Sequence, residues 1–68
     1  MVNLDKLKTK LVDSGKKTGF VAEKLGITRE GFHKKMTGKS QFNILEVKVL
    51  CEQLNITDAE EFKDIFLS

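Results

Sequence analysis

The sequence predicts an all-α fold, a single compact domain of five short helices. Three observations lead there. No run alternates strictly between apolar and polar residues, so strands are not expected. Apolar residues instead recur at helical spacing in five separate segments. Capping residues and glycines stand between those segments, at Gly15, Gly26 and Gly38 among others, and the chain has no proline. At 68 residues the chain is sized for one domain. Such a chain hides only about 60% of its unfolded surface, so a deep, walled pocket of the usual enzyme kind is not expected.

The first helix follows from Leu4, Leu7, Leu11 and Val12, spaced along one face. Asn3 is its expected N-cap and Gly15 its stop. A second, short helix starts after Thr18 and runs to about Leu25, with Val21, Ala22 and Leu25 inward and Gly26 as its end. Thr28 then caps a third helix reaching about Met36, on which Phe32 and Met36 share a face and after which Gly38 closes the turn. Asn43 and Glu46 have capping-box spacing and open the fourth helix, with Phe42 before it as a hydrophobic staple. Its expected buried stripe is Ile44, Val47, Leu50, Cys51 and Leu54. Thr57 with Glu60 reads as a second capping box, opening a fifth helix over about 58–67 whose apolar face is Phe62, Ile65 and Phe66.

Composition excludes several functions. Apolar residues at 40% and charged residues at 32% fit a folded, soluble domain. No apolar run approaches the roughly 20 residues that span a bilayer. The N-terminal residues lack the basic stretch and apolar block of a secretory signal, so a cytoplasmic location is expected. One cysteine and one histidine are too few for a zinc site or an internal disulfide, and no metal or cofactor is expected. No nucleophile or carboxylate stands at a suggestive spacing from His33, so catalysis is not expected. Cys51 falls on the fourth helix's buried stripe and reads as a small core hydrophobe. The five phenylalanines read as core or interface, since they form no exposed aromatic row among the lysines; this argues against single-stranded nucleic acid as ligand.

Charge is unevenly spread. Residues 1–15 carry Lys6, Lys8 and Lys10 against Asp5 and Asp13, a net +1. Residues 16–39 carry Lys16, Lys17, Lys24, Arg29, Lys34, Lys35 and Lys39 against Glu23 and Glu30, a net +5. Residues 40–68 carry Lys48 and Lys63 against Glu46, Glu52, Asp58, Glu60, Glu61 and Asp64, a net −4. A concentrated positive segment attracts a polyanion or an anionic membrane; it also serves simply as a solvated face.

The basic segment holds a pattern with a physical logic. Over about 18–37, a short helix, Gly26-Ile27-Thr28 and a second short helix fit a helix-turn-helix. Ala22 is small enough for a close helix crossing, Gly26 suits the left-handed turn, Ile27 plugs the core and Thr28 caps the second helix. Arg29 and Glu30 then project from that helix's N-terminus, where a DNA reader meets base edges.

Here the chain resembles the Cro and repressor helix-turn-helix proteins of temperate phages and mobile elements, most of all the small Cro-like proteins of Gram-positive phages. The resemblance covers about residues 4–56. It rests on Phe20-Val21-Ala22-Glu23-Lys24-Leu25-Gly26-Ile27-Thr28, on Phe32-His33-Lys34-Lys35-Met36-Thr37-Gly38-Lys39, and on the segment from Phe42 through Glu46-Val47 to Leu50-Cys51-Glu52-Gln53-Leu54-Asn55-Ile56. It implies a five-helix, lambda-repressor-like DNA-binding domain. The chain departs from the family pattern at three places. Thr18-Gly19 stands where a phosphate-clamping Gln is usual, which passes that contact to Lys16 or Lys17. Lys35 stands three after Phe32, where an apolar residue is usual, and Met36 takes over its core role. Gly31 sits inside the recognition helix at a propensity cost of about 1 kcal/mol relative to Ala.

The expected function is a Cro-like transcriptional repressor, bound as a homodimer to double-stranded operator DNA, with no membrane or small-molecule substrate. Arg29, Glu30, Gly31, His33 and Lys34 are the expected base readers. Arg29 suits bidentate binding to guanine and Glu30 suits cytosine N4, although Glu30 and Lys34 are also spaced for a helix ion pair. Lys17, Thr18, Thr28, Lys35, Lys39, Ser40 and Gln41 are the expected phosphate contacts. Phe62, Ile65, Phe66 and Leu67 are the expected dimer interface. The alternative is a protein-interaction module, such as an antirepressor or adaptor, that uses the acidic end of the same fold. A non-specific, nucleoid-type binder is a further rival, and a small hydrolase a distant one.

Overall fold

The computed structural model describes residues 1–68 and contains five helices and no strand. These are α1 (Leu4–Ser14), α2 (Thr18–Leu25), α3 (Arg29–Met36), α4 (Ile44–Gln53) and α5 (Ala59–Phe66). No helix is long and apolar enough to cross a membrane. Their ends follow local chemistry. Asn3 accepts from the Lys6 N–H and starts α1. Thr28 Oγ1 accepts from the Gly31 N–H at 3.0 Å and starts α3. Asn43 and Glu46 form a complete capping box on α4, each side chain accepting the other's backbone N–H. Gly15 and Gly26 end α1 and α2 in the left-handed conformation, φ 72° and 75°, which a Cβ would strain.

The core is a cluster of ten buried apolar residues drawn from all five helices and from Ile56 in the α4–α5 turn. Leu7 and Leu11 come from α1, Val21 and Ala22 from α2, Phe32 from α3, Leu50 from α4, with Leu54 at its end, and Ile65 and Phe66 from α5. Ala22 lets α2 lie close to its neighbours, and α2 packs on both α3 and α4. Helix α5 packs on α1, and the Asn3 N–H donates to the Ile65 carbonyl, tying the two chain ends together. Two cross-helix ion pairs, Lys10–Glu61 at 2.9 Å and Lys6–Asp64 at 3.9 Å, flank that seam.

Four expectations need correction. Val12 is 71% exposed, because α1 turns only Leu7 and Leu11 fully inward. Ile44 is 83% exposed, because the first turn of α4 projects beyond the core; Leu50 and Leu54 carry its buried stripe, with Val47 and Cys51 half-buried. Helix α5 begins after Asp58, which makes no side-chain cap bond, so Thr57 and Glu60 form no capping box. Ile65 and Phe66 are only 3% and 6% exposed, sealed in their own chain's core, and are not available to a partner.

One polar group is buried. Glu46 is 7% exposed, and its Oε1 accepts both the Asn43 N–H at 2.9 Å and the Lys35 ammonium at 2.8 Å. Lys35 also donates to the Gln41 carbonyl, and its ammonium lies 6.0 Å from the centre of the Phe42 ring, which meets Phe32 edge-on. Burial pushes the Glu46 carboxyl up. The Lys35 hydrogen bond, the Asn43 N–H and the Lys35 charge outweigh that and hold its pKa below the ordinary value. A depressed folded-state pKa stabilises the fold above the ordinary carboxylate range, and that stability is lost as pH falls through the folded-state value. Two outcomes follow. Lys35→Met strands a buried carboxylate and lowers stability by about 3 kcal/mol, read as a drop in thermal midpoint of roughly 10–20 °C. Glu46→Gln keeps the cap acceptor but flattens the acid limb of stability measured by denaturant titration from neutral pH downward.

Candidate functional site

Helices α2 and α3 are joined by Gly26-Ile27-Thr28 and pack against one another, so their N-termini open onto one side of the molecule. Between them lies an open cleft with no hydrophobic lining, walled by Lys16, Lys17, Thr18, Gly19, Arg29, Glu30 and His33. Phe32 anchors α3 from below at full burial, while Arg29, Glu30, His33 and Lys34 stay exposed on its outer face. The one-residue steps between these classes follow from the 100° turn per residue of a helix.

The Arg29 side chain lies over a glycine. It reaches back across the cleft to the first turn of α2, where its guanidinium nitrogen lies 2.9 Å from the position a Cβ on Gly19 would take. A side chain at position 19 would crowd it, so Gly19 leaves the space that the guanidinium occupies. The sequence singled it out only as a departure from a family pattern, because the contact joins residues on different helices.

The helix termini add to the positive character. Lys17 occupies the N-cap position of α2 with no side-chain cap bond, so the α2 N–H groups face the cleft without a side-chain acceptor. Helix N-termini carry about half a positive charge and bind anions. On α3 the Thr28 hydroxyl is already engaged as cap; Gly31 is half-buried, and its N–H serves that cap.

The expected phosphate contacts divide. Lys17, Lys39, Ser40 and Gln41 are exposed, and their side chains have no partner within the chain. Thr18 is exposed on the cleft wall. Lys35 does not belong with them, for its ammonium is held by Glu46 and the Gln41 carbonyl beneath the surface. Lys16 likewise is drawn to the end of α4, donating to the Gln53 carbonyl and side chain and flanking Phe20 together with Lys24. Glu30 and Lys34, spaced for an ion pair, make none; Arg29, Lys17, Lys34 and Lys39 are likewise free of any carboxylate partner.

No three His, Cys, Asp or Glu side chains come together as a metal-binding group. Burial, with Glu52 and Glu61 nearby, pushes the Cys51 thiol up, away from the reactive thiolate. Searches of family models, curated proteins and solved structures returned no match.

Gly19→Ala tests the placement of Arg29 directly. The clash falls on the end of a flexible side chain, so the fold should hold with a thermal midpoint within a few degrees of the parent. The Arg29 Nε–H resonance should move, since its guanidinium must leave the α2 turn. An unshifted resonance would show that Arg29 is not seated there.

Proposed function

We propose that this chain is a sequence-specific double-stranded DNA-binding regulator of the Cro-like repressor class, in which α2 and α3 act as a helix-turn-helix and α3 enters the major groove. The observation that carries the reading is the outer face of α3. Arg29, Glu30, His33 and Lys34 project together from an apolar anchor, beside a cleft with no hydrophobic lining. With its side chains an α-helix is about 10–12 Å across, a match for the roughly 12 Å width of the major groove. In that pose Arg29 reads guanine bidentately and Glu30 accepts from cytosine N4, with His33 and Lys34 reaching the next pairs. Lys17, Thr18 and the α2 N-terminus grip phosphate on one side, and Lys39, Ser40 and Gln41 on the other. Gly31 offers a side-chain-free surface for close approach to the groove.

Repression then needs only occupancy of an operator, and no catalysis or cofactor enters. Such a regulator works in the cytoplasm, alongside its DNA. A short helix reads about a half-site, so the active unit is a homodimer on a near-palindrome.

Selection from a random duplex library at about physiological salt tests the reading. The expected result is an enriched inverted repeat with half-sites about one helical turn apart. Retention without enrichment would mean a backbone-only binder. No retention at low salt would overturn the DNA reading and leave the protein-interaction module. On the selected site, the Arg29→Glu/Lys34→Glu double variant should abolish specific binding while circular dichroism stays unchanged. Lys17→Ala should weaken binding to all sequences alike and reduce the salt slope of log K by about 0.9. Lys35→Met should leave that slope unchanged, since its ammonium is buried against Glu46.

A further inference from the structure

Among the helices, α3 packs chiefly on α2. That neighbour and one fully buried anchor, Phe32, hold α3 against the core but leave its roll about its own axis weakly fixed. Roll matters more to a reading face than to a fold. A helix with its side chains has a radius of about 5–6 Å, so a roll of about 10° carries an outer side chain roughly 1 Å sideways. The favourable range of an N–H···O bond spans only about 0.5 Å, so a base contact is lost over that shift. The attraction of a lysine for a phosphate changes little over the same shift, because Coulomb attraction falls off gradually with distance.

A second anchor is polar and lies away from α2. Lys35 comes three residues after Phe32, and its side chain is only 17% exposed. Its ammonium meets Glu46 of α4 at 2.8 Å and the Gln41 carbonyl at 3.0 Å. Residues 37–43, which join α3 to α4, are gathered around this pair. The Lys39 and Ser40 N–H groups both donate to the Lys34 carbonyl, and the Thr37 hydroxyl donates to the His33 carbonyl, so the first half of the segment is tied to the end of α3. The Gln41 carbonyl then ties it to Lys35, and the Asn43 N–H ties it to Glu46. The proposed phosphate contacts Lys39, Ser40 and Gln41 are thus held by the same pair that anchors α3.

We propose that Lys35 and Glu46 are positioning residues for DNA reading: they fix the roll of α3 and set the phosphate-gripping loop relative to it, so that discrimination between sequences depends on a pair that touches no nucleotide. The role in discrimination rests on the DNA reading; the hold on the loop does not. Such a pair leaves a signature of its own. Loss of a phosphate contact weakens binding to every sequence and lowers the salt slope. Loss of the fold abolishes all binding. Loss of the roll lowers discrimination alone.

Lys35→Met/Glu46→Gln removes both charges together, so neither is stranded, and it keeps an acceptor for the Asn43 N–H; circular dichroism should report the parent fold. With the selected operator, the ratio of operator to non-operator affinity should fall about tenfold or more, the equivalent of one good base contact. Affinity for a non-operator duplex, and its salt slope, should match the parent. Without DNA, the Lys39 and Ser40 amides should exchange hydrogen about tenfold faster than in the parent, while the α1 amides keep their rates. An undiminished ratio in the folded double variant would overturn the proposal. So would an equal loss on both duplexes, the mark of a purely structural pair. Unchanged exchange at Lys39 and Ser40 would overturn the hold on the loop. If the double variant does not fold, Glu46→Gln alone decides by the same ratio, with a smaller fall of the same kind expected. A wild type that selects no sequence would sink the DNA reading instead, and the exchange rates would still decide whether the pair pins the loop.

Discussion

Lys35 sits on the inner side of α3, where an ammonium has no business unless something answers it, and Glu46 is placed to do so. The carboxylate oxygen that accepts a hydrogen bond from the Lys35 ammonium also accepts one from the Asn43 N–H, so one atom both caps α4 and holds α3. Lys35 donates a second N–H to the Gln41 carbonyl, and the Phe42 ring beside its ammonium stands edge-on to Phe32. The segment from Thr37 to Asn43 is therefore pinned at several points although it contains no regular structure. A well-packed hydrophobic pair would stabilise the fold as well or better. What it would lack is direction. A methylene contact tolerates a helix rolling by several degrees, whereas a hydrogen-bonded ion pair does not. The roll of α3 decides which side chains face outward, and so the cleft depends on a contact buried behind it.

Charge bookkeeping changes once these contacts are known. The +5 of residues 16–39 is not all available, because Lys35 is paired with Glu46 and Lys16 is tied to Gln53 at the end of α4. Lys17, Arg29, Lys34 and Lys39 are left facing water without partners. The acidic last third is partly consumed as well, by Lys10 and Lys6 of α1. The folded molecule is less polarised than the linear sequence.

The helices were legible because each is written in local terms. Asn3, Thr28 and Asn43 cap within three residues of themselves, and Gly15 and Gly26 stop the chain where φ turns positive. The period of apolar residues located the core on α1, α2 and α3 for the same reason. Where periodicity failed, the failure was tertiary. Val12 and Ile44 satisfy the spacing of a buried stripe but lie at helix ends that no neighbour covers. Thr57 had the right spacing for a cap, and the chain entered α5 one residue later. At Glu46 the sequence announces only a cap, since nothing within four residues of it points to a buried cation; the clue is Lys35, eleven residues back, in a position that elsewhere would be apolar. Arg29 and Glu30 are foreseeable as exposed residues at a helix start, whereas the approach of Arg29 to Gly19 joins two helices and leaves no local trace.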